Sequence, residues 1–436
     1  ENRSQLIYKH AISTIQRIRL IIMNKQLPKE RQEALMLCAP VFHKMEEISL
    51  FNMQKVLEAF RKNHLSAYHF APSNGYGYGD PGREKLENVW CDIFHAEASL
   101  VRPQFVSGTH ALATVLLALL NPGDTMVSAV GSPYDTMQSV IGITGDAPGN
   151  LKKRGVRYKE VPLKGNAYDL DAIAAAVDEN VKLVEIQRSR GYMLRDSLFP
   201  EDIKKIVDTV KAKNPDTICF VDNCYGEFTC KEEPIELGAD ITAGSLIKNA
   251  GGGFAPTGAY ICGKADLVEL CAHAWTAPGL GSEMGSYAAS YRPFFEGLFM
   301  APHVTRQAMM SAEFCSSVFE ILGFSVTPEP GHLRTDLITA ITLDTEENMC
   351  RFAEAVQSWS PVDSDATPIP GPMPGYVDPI IMAAGTFVQG STIEMSADGP
   401  VRPPYIMYFQ GGLVFEHALL AVMGAAERIL ESQNEL

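Results

Sequence analysis

The sequence predicts an α/β protein: a large domain with a mostly parallel sheet, then a smaller α+β domain at the C-terminal end. Three observations predict it. Between residues 66 and about 300, short apolar stretches of strand length alternate with helical stretches, which is how a parallel sheet covered on both faces reads. Beyond about residue 300 the alternation stops, and a long helical stretch, a strand-like stretch and a Pro/Gly-rich stretch precede a last helix. Ahead of both, residues 1 to 65 carry apolar residues at helical spacing. The expected organisation is a helical segment over 1–65, a large cofactor-binding domain over 66–300 and a small domain over 301–436.

The elements follow in order. Ala11 to Ile22 and Val41 to Phe60 read as helices. Leu100 to Val106 reads as a strand that meets Gly108 and the apolar helix after it. Strands are expected at Thr125–Ala129, Lys182–Gln187 and Thr217–Asp222, with a helix at Glu201–Lys211. Ala239–Ala243 and the segment from Thr257 to Cys262 read as two more strands, with Lys248 at the turn between them. In the last zone Val304–Leu322 reads as a helix and Leu337–Leu343 as strand. Ser360–Pro379 reads as a Pro/Gly-rich loop, and a final helix starts near Leu413.

Composition bounds the function. The chain has 436 residues, 46% hydrophobic and 20% charged, ordinary values for a soluble globular protein. Its net charge of −15 opposes binding to a nucleic-acid backbone, which needs a basic face. The longest apolar stretch, Ala111 to Leu120, interrupted by Thr114, is too short to span a bilayer. No basic segment followed by an apolar core opens the chain, so no secretion signal is expected. The nine cysteines are scattered, and Cys219, Cys224 and Cys230 match no common zinc spacing. Reduced thiols, no bound metal and a cytoplasmic setting are the expectation.

Four motifs of the middle zone carry chemistry. "SGTHALATVLLALL" (107–120) sets Ser107, Gly108 and Thr109 at a helix start, where free N–H groups and the helix dipole suit a phosphate. Taken alone, plain N-capping by Ser107 or Thr109 explains it as well. "GSPYDT" (131–136) puts Tyr134 just after a strand, where its ring can stack on a flat ligand. "ICFVDNCYGEF" (218–228) ends a buried strand at Asp222. Ligands of open α/β sheets bind at such strand ends, and a buried carboxylate needs a partner; a pyridinium nitrogen is one, a helix cap another. In "ADITAGSLIKNAGGGFAPTGAY" (239–260), Lys248 follows Ser245 by three residues and precedes a glycine run. A lysine in a dry site is expected to have a lowered pKa and to be nucleophilic. Glycine turn, aromatic, strand-end aspartate, then serine and lysine is an order in which each member has a distinct role on one cofactor.

On these residues the chain resembles fold-type I pyridoxal-phosphate enzymes, and among them the Cys/Met-metabolism lyases such as cystathionine β-lyase and methionine γ-lyase. It is most similar to their bacterial aluminium-resistance branch, through "GYGYGDPGREKLE" (75–87), "QFVSGTHAL" (104–112), "VDNCYGEF" (221–228), "GSLIKNAGGGFAPTGAY" (244–260) and "PYIMYFQGGL" (404–413). The resemblance implies pyridoxal 5'-phosphate carried on Lys248, with Asp222 on the ring nitrogen and Tyr134 stacked on the ring. It places Gly108, Thr109 and Ser245 at the phosphate. It also implies a homodimer or homotetramer with residues shared across the interface, and an amino-acid substrate.

This chain departs from the pattern in three places. The lyases' Tyr-x-Arg pair, which reaches the neighbouring subunit's phosphate, is Gly-Tyr-Gly-Tyr-Gly here, leaving Tyr76 or Tyr78 to reach over. The hydroxyl residue before the lysine is Ile247. Tyr408 stands about where the carboxylate-binding arginine is expected, and Arg402, the nearest arginine, becomes the candidate anchor. The expected reaction is β- or γ-elimination from a sulfur-containing amino acid, giving a thiol or sulfide, ammonia and a 2-oxo acid. Aldol cleavage, racemisation and desulfuration on the same cofactor, or a non-catalytic stress-related protein that keeps the fold, are the alternatives.

Overall fold

The computed structural model describes residues 27–433; the helix expected at Ala11–Ile22 lies outside them. The first helix, α1 (Pro28–Lys62), begins well before Val41 and runs through Pro40. Helix α2 (Pro81–Phe94) starts where the Asp80 carboxylate accepts the N–H groups of Gly82 and Arg83, with proline in the first turn.

The large sheet has seven strands, in the order β1 (Ala98–Arg102), β7 (Ala259–Gly263), β6 (Ile241–Ser245), β5 (Ile218–Asp222), β4 (Val181–Gln187), β2 (Thr125–Ser128) and β3 (Arg157–Glu160). β3, β2, β4, β5 and β6 run parallel, and β7 is antiparallel to both of its neighbours. Strand β1 stops before Pro103 rather than at Val106, because proline brings no N–H to a ladder.

Both faces of this sheet are buried, so its strands read as apolar runs. On one face Leu183, Phe220 and Ile261 pack with Leu112, Val115 and Leu116 of α3 (Gly108–Leu119). On the other, Val184, Cys219 and Val221 pack with Ile203 and Ile206 of α6 (Pro200–Lys213); the short helices α4 (Asp135–Ile141) and α5 (Leu170–Ala176) lie between α3 and α6 in the chain. Helix α7 (Ala265–Trp275) follows β7.

A five-stranded antiparallel sheet follows, ordered β10 (Ile380–Ala383), β11 (Ser396–Pro400), β12 (Ile406–Gln410), β9 (Ile338–Thr342), β8 (Val326–Thr327). It packs on α9 (Glu346–Ser358) and α10 (Phe415–Gln433) through Phe352, Val356, Met407, Phe409 and Val422. Helix α8 (Arg292–Ile321) starts ahead of Val304 and runs through Pro302, so residue 300 falls inside it. It buries Leu298 and Ala301 in a large-sheet cluster and Phe314 and Val318 in the small-sheet cluster. α1 does the same with Val56 and Ala59 in the first and Ala34 and Cys38 in the second.

Candidate functional site

The carboxyl ends of β4, β5 and β6 and the start of α3 converge on a cavity of about 350 Å³. Ser107, Gly108, Thr109, Tyr134, Asp222, Ser245 and Lys248 all line it. Four separate motifs, spread over more than a hundred residues of chain, thus meet at one place.

Each is held by a local device. The Ser107 hydroxyl accepts the His110 N–H (3.1 Å) and caps α3, leaving the first amides of the helix at the cavity wall. The Thr109 and Thr136 hydroxyls share a hydrogen bond of 2.9 Å. A Cβ on Gly108 would stand 3.2 Å from Ser245 Cβ and 3.6 Å from Cys224 Sγ, so glycine lets the helix start sit against Ser245. Gln187, at the end of β4, accepts the Tyr134 N–H at 2.7 Å and fixes the start of that turn. Asp222 Oδ1 accepts the Cys224 N–H at 3.0 Å, and burial raises the pKa of this carboxyl.

Lys248 is the one cation among the described lining residues. Its Nζ lies 3.9 Å from the centroid of the Tyr225 ring, within cation–π range. The expectation of a lowered pKa is corrected here. Burial pulls the ammonium down, but Tyr225, Cys224, Asp222 and Glu227 around it more than offset burial, and the net direction is up. The glycine run after Lys248 has a packing cause. A Cβ on Gly251 would strike the Leu246 carbonyl and one on Gly252 the Gly297 carbonyl of α8. These glycines let the lysine loop pack on protein backbone, and they do not line the cavity.

The small-domain side of the chain completes the wall. Tyr376, from the Pro/Gly-rich stretch, hydrogen-bonds Tyr134 hydroxyl to hydroxyl at 2.6 Å. Gln389, Gly390 and Ser391 line the cavity as well. Ile393 N–H donates to the Ile247 carbonyl at 3.0 Å, tying the lysine loop to this segment. Behind Ser391, Asp398 is buried with Oδ1 unpartnered, and burial pushes its carboxyl up to about 6. Tyr225, Tyr376 and Asp398 received no role from the sequence. Tyr225 adopts φ +67°, a conformation that a bulky residue seldom takes, and no residue pattern announces it.

Three expected substrate contacts are not brought to the cavity. Arg402 is half exposed and pairs with Asp378 at 2.6 Å. Tyr76 and Tyr78 are exposed, with their rings 5.6 Å apart, and lie outside the wall. Tyr408, in the place expected for an arginine, donates its hydroxyl to the Tyr192 carbonyl at 2.6 Å.

The donor set fits pyridoxal phosphate. A buried carboxylate at a strand end suits a ring N–H, a lysine amine lies in the same cavity, Tyr134 offers a face, and a helix start with Ser245 suits a phosphate.

Known proteins are similar to this chain over most of its length. YnbB of Bacillus subtilis (strain 168) is 45% identical over 397 residues, 91% of this chain and 94% of its own length. A Clostridium novyi NT structure, described as a carbon-sulfur lyase involved in aluminum resistance, is 45% identical, covers 96% of this chain and 99% of its own and superposes with a TM-score of 0.90. A Listeria monocytogenes structure described as involved in aluminum resistance is 47% identical, covers 92% of this chain and 99% of its own and gives a TM-score of 0.89. The expected fold-type I architecture is the one observed. With the methionine gamma-lyase family model matching residues 27–430, nearly the whole described length, this chain belongs to that family.

Proposed function

We propose that the protein is a pyridoxal-phosphate-dependent carbon–sulfur lyase that eliminates a β or γ sulfur substituent from an amino acid, yielding a thiol or sulfide, ammonia and a 2-oxo acid. The observation that carries this reading is the meeting of Lys248, Asp222, Tyr134, Ser245 and the α3 start at one cavity. When bound, the cofactor supplies an electron sink that stabilises charge developing at the substrate α-carbon.

The protein's own groups do the rest. Asp222 keeps a negative charge at the ring-nitrogen position. The amides of Gly108 and Thr109, with Ser245, hold the phosphate. Tyr134 orients the ring, and its bond to Tyr376 closes that side of the cavity to water. Lys248 Nζ moves the α-proton. For that it must give up the proton that Asp222 helps to hold on it, and pairing Asp222 with a cationic partner weakens that hold. Desulfuration through a reactive thiol is disfavoured, because burial raises the Cys224 pKa well above the ordinary thiol value.

Lys248 being the one cation among the described lining residues, a phosphate lacks an arginine from its own chain. That supports a homodimer as the smallest active unit, with the partner completing the charge, and the exposure of Tyr76 and Tyr78 is consistent with their meeting it. All nine cysteines are free, which supports a reducing, cytoplasmic setting; no described helix is long and apolar enough to cross a membrane.

Incubation with cysteine, homocysteine, methionine, cystathionine and threonine, following thiol or sulfide, ammonia and oxo acid together, tests the reaction. Glycine plus an aldehyde from threonine, without the three elimination products from any sulfur substrate, replaces it with aldol cleavage.

A further inference from the structure

Tyr134 and Tyr376 reach the catalytic cavity from distant parts of the chain, and both line it. Tyr134 is fixed on the large domain. Gln187 holds its N–H at 2.7 Å, and its ring lies so near Gly191 that a Cβ there would stand 2.8 Å from Tyr134 Cδ2. Tyr376 comes from the Pro/Gly-rich stretch. Gly375, at φ +91°, lays that stretch on the large domain: a Cβ there would meet Thr136 Cγ2 at 3.1 Å. The two tyrosine rings then stand edge to face, 6.2 Å apart, with their hydroxyls 2.6 Å from each other.

This bond uses one of the two phenolic protons, and the other is left over. Tyr192 does not take it: its ring lies 5.5 Å from that of Tyr134, but its hydroxyl has no hydrogen-bond partner. When one proton leaves the pair, the remaining O–H turns to the bared oxygen and steadies its charge. Burial raises the pKa of both hydroxyls, while their shared bond raises that of Tyr134 and lowers that of Tyr376. The charge therefore settles on Tyr376, with Tyr134 as its donor.

The other titratable groups of the wall are committed or out of reach. Lys248 moves the α-proton and Asp222 stands at the ring-nitrogen position. Burial holds the proton on the Cys224 thiol, and the Tyr225 hydroxyl has no surface open to the cavity.

We propose, resting on the lyase reading above, that Tyr376 supplies the proton taken by the departing sulfur. In β-elimination the electron pair of the C–S bond leaves with sulfur, the electrons of the lost Cα–H bond enter the new C=C bond, and the Tyr376 O–H proton completes an S–H. The phenolate accepts the Tyr134 hydroxyl and regains a proton from water as product leaves. Thiols and phenols ordinarily ionise at roughly 8.5 and 10, near enough for this transfer to cost little. A leaving group that departs as a stable anion has no need of it.

That difference is the test. Full-length protein with bound cofactor is assayed as wild type, Tyr376→Phe and Tyr134→Phe on two matched pairs: S-methylcysteine with β-chloroalanine, and methionine with 2-amino-4-chlorobutyrate. Chloride leaves without a proton. For whichever pair wild type accepts, Tyr376→Phe should lose about a hundredfold or more in kcat/KM with the thiol leaving group and less than about tenfold with chloride. Alanine, which has nothing to eliminate, should bind Tyr376→Phe with the wild-type Kd, read from the cofactor's visible absorption. Equal losses with both leaving groups, or a weaker alanine Kd, would make Tyr376 a wall residue and overturn the proposal. Selective loss in Tyr134→Phe alone would overturn it in favour of Tyr134. A wild type that eliminates from none of these substrates overturns the lyase reading itself, and this proposal with it.

Discussion

Glu227 gives the sharpest quantitative prediction. It is fully buried near Lys248; Oε1 accepts the Tyr260 hydroxyl at 2.8 Å and Oε2 has no partner. Burial pushes its carboxyl from 4.5 up to about 8. The folded protein therefore holds a proton that the unfolded chain has already released between those values. The resulting stabilisation is full below about pH 4.5 and is lost as pH rises through about 8. A shift of roughly 3.5 units is worth on the order of 5 kcal/mol over the window, of which roughly 2–3 kcal/mol disappears between pH 5 and 7. Glu227→Gln removes the titration and keeps the shape. Urea unfolding of cofactor-free wild type and variant at pH 5, 6 and 7 should show the difference moving in the variant's favour by that amount. Other raised carboxyls, Glu87 and Glu185 at about 7, are common to both proteins and cancel. Parallel pH curves for the two proteins would refute the reasoning, because they would mean that Glu227 ionises alike in both states.

Lys248→Ala should leave the purified protein without turnover and without covalently held cofactor, read as loss of visible absorption after gel filtration; a wild type that stays colourless with added cofactor would defeat the assignment itself. Asp222→Asn should still bind cofactor, yet lose about two orders of magnitude or more in kcat; unchanged kcat would make Asp222 a structural cap. Arg402→Ala should raise KM far more than it lowers kcat if the arginine leaves Asp378 to hold the substrate carboxylate, and an unaltered KM would assign it to the surface pair alone. Sedimentation at assay concentration should find a dimer or larger, and an active monomer would contradict the shared site.

The sequence revealed most where a residue's role follows from its immediate neighbours. Asp222 closes an apolar run and Ser107 precedes a helix, so strand end and helix start could be placed from short windows. Strand β11 was hidden because Ser396–Pro400 has the composition of a turn, and only pairing on both sides makes it a buried strand. Tyr376 and Ser391 were missed for a related reason: they sit in irregular chain, and tertiary packing alone takes them to the cavity. The same limit applies to Arg402, whose counter-ion Asp378 is 24 residues away, and to Lys248, whose neighbours Asp222, Cys224 and Tyr225 come from another strand end.

The two helices that bury residues in both clusters also constrain motion. α1 and α8 act as paired splints across the two sheets, so a hinge between them would tear apolar contacts at both ends of each helix. Access to the lysine then falls to the chain from Tyr376 to Ser391, which meets the cavity through the Tyr134–Tyr376 hydroxyl pair and the adjoining wall residues. β10 lies within this strip and is paired and buried on β11, so opening is confined to the irregular chain on either side of it, around Tyr376 and from Phe387 to Ser391. Phe387, within it, is 72% exposed. A cross-link pinning the strip to the large domain should slow substrate entry and product release alike while leaving the two sheets as they are.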